Sequence, residues 1–198
     1  MLSARWVKEH SDTTSENIIS RARKPRLVDC GFFSLVRVPG ASGLGVAVVP
    51  KHPNWFGSLL CHAKTLLLRY HGIWTSSPKQ VLRYSYVLAV EEGGVSLVVP
   101  QHMRDEIVSQ CNKNLEAGHE ALAKGGGFLV QHSDLPNCEF VVFGKSKSTY
   151  KVYVQSLQDI FCGQPLTVSY SRSYRDWFLE RHGYKLDRLQ WGTLTPFL

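Results

Sequence analysis

The sequence predicts a mostly β protein with short helices. Pairs of runs rich in β-branched and aromatic residues flank glycine or polar turns, which is the pattern of β-hairpins. These pairs are residues 32–38 with 46–49, residues 85–90 with 95–99, and one extended hairpin over residues 141–160. Apolar residues recur at helical spacing mainly near residues 58–71 and 101–116. Strands therefore dominate the predicted fold.

Length and composition are those of one soluble globular domain. The chain has 198 residues, of which 43% are hydrophobic and 20% are charged, and such a chain can bury a core. No stretch reaches the ~18 apolar residues that a membrane-spanning helix needs, so we expect no membrane partner. The polar N-terminus of mixed charge predicts no signal peptide.

The formal net charge is +7, and a solvated basic surface is its simplest interpretation. Attraction to an acidic partner, such as nucleic acid, a nucleosome or an acidic protein, is the alternative. Because the basic residues are spread along the chain and form no single stripe, direct nucleic-acid binding is not indicated.

The cysteines bear on the cellular compartment and on metal binding. The five are Cys30, Cys61, Cys111, Cys138 and Cys162. They are scattered, odd in number and never spaced as Cys-x-x-Cys, which favours free thiols in a reducing compartment and predicts no structural zinc. We therefore expect an intracellular protein, nuclear or cytoplasmic, without a metal site.

Residues 1–30 form a polar lead-in that we expect to be partly ordered. A basic run at residues 21–26 has two interpretations, a nuclear address or a surface loop. The first predicted hairpin follows this lead-in.

A glycine turn, Gly43-Leu44-Gly45, lies between the first two predicted strands. Glycines let backbone amides approach a ligand closely, although a plain hairpin turn explains the same residues. A dinucleotide-binding fold would need a helix after the glycines, whereas here a β-branched strand follows and ends at Pro50. This argues against a Rossmann-type methyltransferase or dehydrogenase.

Two helices are predicted in the middle of the chain. Apolar residues at helical spacing predict one helix over residues 58–71, ending near Gly72. A stripe of apolar residues at positions i and i+4 predicts another over residues 101–116. Gly125-Gly126-Gly127 then offers a flexible entry to an apolar strand that stops at a His-Ser pair.

Two short runs carry the most specific signal and would have to meet in space. The first ends an apolar strand with Gln131-His132-Ser133, turns at Leu135-Pro136-Asn137 and resumes as a strand; the second is the run from Gly163 to Tyr170. In this order and at this spacing they resemble the C-terminal signature of SET-domain protein methyltransferases. That signature usually reads Asn-His-Ser-Cys-x-Pro-Asn and then Gly-Glu-Glu-Leu-Thr-x-Asp-Tyr. The positions that match in register are His132, Ser133, Pro136, Asn137, Gly163, Leu166, Thr167 and Tyr170.

The chain also departs from the family pattern. Gln131 replaces the Asn, Gln164-Pro165 replaces the Glu-Glu, Ser169 replaces the Asp, and Phe128 stands where many members carry Arg. The cysteines do not form the zinc clusters that flank many SET domains. Since Gln is one methylene longer than Asn, the hydrogen bonds from its amide must be re-aimed.

The resemblance implies a β-clip of small curved sheets with a C-terminal segment threaded under a loop. Such threading is rare in general and is implied by the family alone. The SET-like domain would cover residues 31–175, with a helical insert at about 101–124 that usually helps to shape the substrate groove. The aromatic segment at residues 176–198 would pack on the domain, and it is our candidate for a lid over the active site.

The resemblance also implies the activity, which is methyl transfer from S-adenosyl-L-methionine to a lysine of a protein or peptide. A histone tail is one candidate substrate. The implied cofactor-binding residues are Gly43, Leu44, Gly45, Gln131 and His132, the catalytic residue is Tyr170, and Tyr86 would line the substrate channel. The acceptor lysine, with a reference pKa near ~10.4, must lose its proton before it attacks, and a narrow apolar channel lowers that pKa by desolvation.

Two other interpretations stay open. One is a SET-like protein without catalysis that acts as a binding or scaffold module, and the substitutions at Gln131, Gln164-Pro165 and Ser169 favour it. The other is an unrelated β-rich binding domain whose motif matches arise by chance. Calorimetry of cofactor binding separates the active enzyme from both, if the degenerate form no longer binds the cofactor.

Overall fold

Strand is the commonest secondary structure among the residues that the computed structural model of the chain describes. The structure describes residues 2–3, 5–6, 31–37, 44–50, 52–77, 79, 86–90, 94–144, 149–170 and 176. Their strands are β1 (Leu2–Ser3), β2 (Arg5–Trp6), β3 (Gly31–Arg37), β4 (Leu44–Pro50), β5 (Leu59–Cys61), β6 (Leu66–Tyr70), β7 (Ile73–Thr75), β8 (Tyr86–Val90), β9 (Val95–Val99), β10 (Gln131–His132), β11 (Cys138–Phe143), β12 (Lys151–Ser156), β13 (Ile160–Phe161) and β14 (Thr167–Val168). The helices are α1 (Gln101–Lys113) and α2 (Leu115–Gly125), with 3-10 helices at Pro53–Trp55 and Gly127–Leu129.

The described strands form small sheets. One sheet has the strand order β1-β8-β9-β7, and the largest runs β10-β14-β11-β12-β6, with β2 beside β11. Two further sheets are the pairs β3-β4 and β5-β13. The predicted fold class, mostly β with short helices in small sheets, is confirmed. The threaded C-terminal segment stays a prediction, because residues 171–175 and 177–198 lie outside the described residues.

All three predicted hairpins are present. Each is antiparallel: β3 with β4, β8 with β9, and β11 with β12. The local pattern sufficed here because β-branched runs next to turn residues define a hairpin without a distant partner.

Residues 58–71 form strands, so the helix predicted there is wrong. Between β5 and β6 the chain turns at Lys64, which has a φ of +65° and so cannot continue a right-handed helix. In β6, Leu68 and Tyr70 are buried while Leu67 and Arg69 are half-buried, which is the alternation of a strand. A leucine-rich run fits the apolar pattern of a helix and that of a strand equally well. Pairing with β12 makes this run a strand.

The apolar run before His132 is not a strand either. Gly127–Leu129 is a 3-10 helix, and only Gln131–His132 pairs as β10. The glycine segment 125–127, which we predict to be flexible, is buried. Within it, Gly126 forms an isolated β-bridge with Tyr70. A continuous apolar run fits any fully buried element, and this is why the pattern could not distinguish them.

The predicted helix over residues 101–116 is confirmed by α1, and the chain then continues as a second helix. It breaks at Asn114, whose Oδ1 accepts a hydrogen bond from the Ala117 amide at 2.8 Å and caps α2. At Gly118 a Cβ would stand 3.0 Å from the Cα of Cys111, so glycine allows α1 and α2 to pack closely. Among the described residues no helix is long and apolar enough to cross a bilayer.

One hydrophobic core joins the helices, the large sheet and the two signature runs. Its fully buried members include Leu68, Leu88, Leu122, Val130, Val142, Val154 and Leu166. Because Val130 and Leu166 come from the two signature runs, packing alone already holds those runs near each other.

His119 anchors α2 to β3. Its Nδ1 accepts a hydrogen bond from the buried Phe33 amide at 3.0 Å, and its ring stacks on Phe33 with the centroids 5.1 Å apart. Phe32 packs edge-on against the same ring at 5.5 Å. Since Nδ1 accepts this bond, the neutral ring carries its proton on Nε2. A side chain of α2 thus accepts a hydrogen bond from an amide of the β3–β4 hairpin, which also contains Leu44 and Gly45.

We expect His119→Leu to lower the free energy of unfolding by about 1–3 kcal/mol, because a buried amide loses its acceptor. His119→Asn should lower it less, since an amide oxygen can replace the accepting nitrogen. Urea unfolding followed by circular dichroism measures both variants. Equal stability of the Leu variant and the wild type would contradict the anchor.

Candidate functional site

The two signature runs lie side by side. β14 runs parallel to β10, with Gln131 opposite Thr167 and His132 opposite Val168, and it also pairs with β11. The Ser133 amide extends this ladder by donating to the Val168 carbonyl at 3.0 Å. The prediction that the two runs meet in space is therefore confirmed.

A side-chain clamp of Asn137 and Thr167 joins the runs. The Asn137 Oδ1 accepts hydrogen bonds from the Thr167 amide at 2.8 Å and from its hydroxyl at 3.2 Å. The Asn137 Nδ2 donates to the Pro165 carbonyl at 2.9 Å, and the Asn137 amide donates to the Thr167 hydroxyl at 3.2 Å. Asn137 and Thr167 are 8% and 5% exposed, so water cannot easily replace these bonds. Asparagine suits the position because its short side chain offers a donor and an acceptor together.

The turn that precedes β14 carries two departures from the family pattern, Gln164 and Pro165. Gly163 has a φ of +94°, and a Cβ there would stand 2.5 Å from an aromatic ring, so a larger residue would be strained. Gln164 Oε1 accepts a hydrogen bond from the Phe161 amide at 3.0 Å. Pro165 contributes the carbonyl that Asn137 contacts. Neither contact requires the acidic pair of the family pattern.

Tyr170 is held by the first run at two points. Its amide donates to Nδ1 of His132 at 2.9 Å, and its hydroxyl donates to the Val130 carbonyl at 2.7 Å. The phenol ring lies 5.2 Å from the imidazole, centroid to centroid, and the residue is 8% exposed. A phenol oxygen that donates its proton keeps acceptor capacity, so this hydroxyl is a fixed acceptor in apolar surroundings.

His132 positions the backbone of Tyr170. Nδ1 accepts the Tyr170 amide, so the neutral ring carries its proton on Nε2. Nε2 lies 3.5 Å from Oδ1 of the exposed Asp134. His132 itself is buried, and its predicted contact with the cofactor stays a prediction.

The predicted cofactor residues lie on neighbouring segments. Of the turn Gly43-Leu44-Gly45, the last two residues begin β4, whereas Gly43 lies outside the described residues. The next residue, Val46, accepts a hydrogen bond through its carbonyl from the Leu166 amide at 2.9 Å. The start of β4 is thereby tied to the run that ends at Tyr170. Gln131 is half-buried, and its Nε2 donates to the Leu129 carbonyl at 3.3 Å.

Tyr86 opens β8 and packs against Phe128, with the ring centroids 5.2 Å apart. The Arg104 guanidinium lies 5.7 Å from the centroid of the Tyr86 ring, within the range of a cation–π contact. Phe128 is buried and comes two residues before Val130, which binds Tyr170. Both predicted site tyrosines therefore contact the same short segment. The departure from Arg at position 128 places an aromatic ring in the core.

Ser169 is exposed, and nothing in the structure explains why serine replaces the aspartate of the family pattern. Other predicted features fall outside the described residues. They are the aromatic segment at 177–198 and the basic run at 21–26. The proposed lid therefore stays a prediction.

The cysteines in the described residues, namely Cys61, Cys111, Cys138 and Cys162, are in no disulfide, and Cys30 lies outside the described residues. No three His, Cys, Asp or Glu side chains gather as a metal site within the described part of the chain. We predict that the protein binds no zinc.

Burial raises the pKa of the Cys111 thiol to about 11 and that of Cys138 to about 12. We expect iodoacetamide at pH 8 to alkylate Cys111 about a hundredfold and Cys138 about a thousandfold more slowly in the folded protein than in urea, because only the thiolate reacts. Peptide mass spectrometry and metal analysis provide the measurements. Stoichiometric zinc, a disulfide in a non-reducing digest, or equal alkylation rates would overturn this prediction.

Sequence reasoning missed the roles of Asn137, Thr167 and Val130. The turn pattern explains Asn137 by its backbone geometry, whereas its side chain forms the clamp. One signal for the clamp was available. If the two runs meet, an Asn buried between them needs hydrogen-bond partners on the facing strand. Val130 acts through a carbonyl, which no side-chain pattern reveals.

Comparison with known proteins identifies the family. Residues 15–171 match the SET domain family. Among solved structures, CpSET8 from Cryptosporidium is 17% identical with a TM-score of 0.50, and the match covers 85% of this chain and 70% of CpSET8. KRYPTONITE, in complex with mCHH DNA, an H3(1-15) peptide and SAH, is 15% identical with a TM-score of 0.44, and the match covers 72% of this chain and 24% of KRYPTONITE. No curated protein matches this sequence significantly. At such identities a structural likeness shows the fold alone, but the family match extends over most of the chain. The chain belongs to the SET-domain family.

Proposed function

We propose that this protein transfers the methyl group of S-adenosyl-L-methionine to a lysine of a protein substrate. The observation that carries the proposal is the buried Tyr170 hydroxyl, which is fixed at 2.7 Å from the Val130 carbonyl. It stands beside the two segments that we assign to the cofactor. A histone tail is one substrate to test.

The cofactor would lie between the start of β4 and Gln131-His132. β4 contacts the 3-10 helix Gly127–Leu129 that leads into β10, so the two segments are neighbours. The residues present fit such a ligand. Gly45 has no side chain to obstruct a close approach, and the half-buried Gln131 amide offers a donor and an acceptor. The bound cofactor supplies a methyl group on a sulfonium for in-line displacement.

Tyr170 orients the substrate amine in this proposal. Because its hydroxyl proton is directed to the Val130 carbonyl, the oxygen accepts an N–H of the neutral amine. The lysine has a reference pKa near ~10.4, and removing it from water favours the neutral, nucleophilic form. Tyr86 and Phe128 contribute aromatic surface to this desolvation, and the site aligns donor and acceptor.

The test combines binding with turnover. The full chain is titrated with S-adenosyl-L-methionine by calorimetry, and a panel of histones and peptides is then incubated with protein and cofactor and analysed by mass spectrometry. We expect binding heat and methylation of specific lysines. The absence of binding at millimolar cofactor would contradict the proposal.

A second candidate is a SET-domain module that binds a partner without catalysis. It is favoured by the inward hydrogen bonds of both key side chains, Tyr170 to Val130 and Gln131 to Leu129, which a purely structural role also explains. A folded protein that binds neither the cofactor nor its demethylated product would support this candidate.

A further inference from the structure

The large sheet has a second face that takes no part in the candidate site. Alternate residues of a strand point to opposite sides of a sheet, and one side of β6, β11 and β12 packs into the main core. On the other side, Val141, Phe143 and Tyr153 form a separate small cluster. We call this side of the three strands the second face.

Two cationic residues flank Tyr153 on the second face. Arg69 of β6 pairs in register with Tyr153, and Lys151 precedes Tyr153 by two positions on β12, so all three residues face the same side. Diagonal neighbours of this kind lie about 7–8 Å apart, within the reach of long side chains. Both cations are half-buried. Residues that are distant in sequence are thus neighbours in the sheet.

These two cations lack acidic partners in the part of the chain that the structure describes. None of the ion pairs found there involves Arg69 or Lys151. The Nε of Arg69 is buried and has no hydrogen-bond partner among the described residues. A guanidinium stays charged at physiological pH, and a buried donor without a partner opposes folding. Such a group in a native fold indicates a ligand from outside the chain.

Acidic residues are sparse around the two cations. Strands β6, β11 and β12 contain a single carboxylate, Glu139. It pairs in register with Gln155, four positions along β12 from Lys151, which corresponds to about 13 Å. Two strand spacings, about 10 Å, separate it from β6 and Arg69. Between Glu139 and Asp159 the sequence has three lysines and no acidic residue. The second face is therefore electropositive.

A phosphate is the anion that suits this pair of cations. Guanidinium groups bind phosphate oxygens in a bidentate manner, and lysine adds a point charge. A nucleic-acid strand carries one phosphate per ~3.4 Å of helix axis. Two cations about 7–8 Å apart can therefore contact phosphates two nucleotides apart. The formal charge of +7 on the whole chain attracts such a polyanion from a distance.

We propose that the second face binds the phosphodiester backbone of a nucleic acid through Arg69 and Lys151. The spread of basic residues along the sequence does not indicate this site, because only the pairing of β6 with β12 brings these two together. Contacts with phosphates carry no sequence information directly, so binding should not depend on base sequence. It also requires neither cofactor nor methyl transfer, and so goes beyond the proposed function.

The experiment measures binding of fluorescein-labelled DNA and RNA duplexes of one sequence to the full chain by fluorescence anisotropy over a salt series. The logarithm of the affinity should fall linearly with the logarithm of the salt concentration. The double variant Arg69→Gln, Lys151→Gln should reduce the magnitude of this slope by about 1.8, because each phosphate contact contributes about 0.9. The same relation predicts about fivefold weaker binding per lost contact at physiological salt.

A matched control separates the second face from general charge. Lys79 and Lys113 are exposed and lie outside the large sheet. Lys79→Gln with Lys113→Gln removes the same charge and should leave the salt slope unchanged. If the first double variant does not fold, Lys151→Glu alone, at the first position of β12, should reduce the slope by at least about 0.9. Circular dichroism checks folding.

Arg69→Met distinguishes a binding role from a structural one. Methionine keeps an unbranched stem and removes the buried Nε that has no partner among the described residues. The urea midpoint should therefore be at least that of the wild type, whereas the salt slope should fall by about 0.9. A residue that serves only the fold would give the opposite result, a lower midpoint with unchanged binding.

Several results would overturn the inference. They are the absence of binding to either duplex, equal changes of slope in the control and the second-face variants, and unchanged binding by a folded Arg69→Met protein. Tighter binding of poly-glutamate or of a phosphorylated peptide than of the duplexes would assign the face to an acidic protein instead. Failure of the proposed function is recognised separately, because duplex binding by a chain that transfers no methyl group leaves this site standing.

Discussion

Tyr170→Phe is expected to slow methyl transfer by about ten- to a thousandfold, the range for losing one well-placed polar contact to a transition state. The change keeps the ring that packs on His132 and removes the hydroxyl that donates to Val130. The fold should survive with a loss of about 1–3 kcal/mol, because the buried Val130 carbonyl loses its donor. Since the hydroxyl orients the amine, kcat should fall, and cofactor affinity should stay the same.

A matched control is Tyr153→Phe, which removes a hydroxyl from another buried tyrosine. Tyr153 lies on β12 and packs edge-on against Phe143, and we assign it no part in the site. Rates from single-turnover methylation and affinities from calorimetry are compared for both variants. A wild-type rate in the Tyr170 variant with intact cofactor binding would eliminate the assignment. A wild type inactive on every substrate would favour the module without catalysis.

The parts of the fold that the sequence predicts are those in which neighbours along the chain are also neighbours in space. The β8–β9 hairpin closes over a turn in which Gly94 has a φ of +56°, a conformation that glycine favours. α1 carries a stripe that is periodic by itself. The two signature runs were predictable as a pair because each contains several residues at characteristic spacing.

The wrong secondary-structure predictions fall where contacts with residues distant in sequence determine whether a segment is a helix or a strand. Leu66–Tyr70 is a strand because β12 pairs with it, and no residue near it in sequence carries that information. The apolar run at 127–130 is buried on all sides, and complete burial removes the periodicity that distinguishes a helix from a strand.

The family pattern predicts which residues belong to the candidate site, but it does not predict the contacts between them. The family pattern singles out Tyr170 and His132, yet the bond between the Tyr170 amide and the imidazole follows only from the parallel pairing of β10 and β14. Likewise, the pattern marks Tyr86 but cannot show that Phe128 is its packing partner. Side-chain contacts across sheets depend on register, which is set by the whole core.

Asn137→Ala is expected to lower the free energy of unfolding by about 2–5 kcal/mol. It leaves the buried Thr167 amide and the half-buried Pro165 carbonyl without their partner, and each such loss costs about 1–3 kcal/mol. The loss should also separate the two runs, because the clamp joins the turn before β11 to the start of β14. Cofactor affinity should therefore fall even at temperatures at which the variant is still folded.

Two controls isolate this effect. Asn114→Ala removes the same side chain at an exposed helix cap, where about 0.5–2 kcal/mol is expected. Thr167→Val removes a hydroxyl but keeps the backbone amide that Asn137 accepts, so it should cost less than Asn137→Ala. Urea unfolding gives the stabilities, and calorimetry at low temperature gives the cofactor affinities.

If Asn137→Ala were no more destabilising than Asn114→Ala, the clamp would be one more surface contact. If it destabilised the fold but left cofactor affinity unchanged in the folded fraction, the clamp would support the fold without positioning the site. The expected result is the loss of both, because the same buried amide bonds hold β14, and with it Tyr170, against the segment that carries Gln131 and His132.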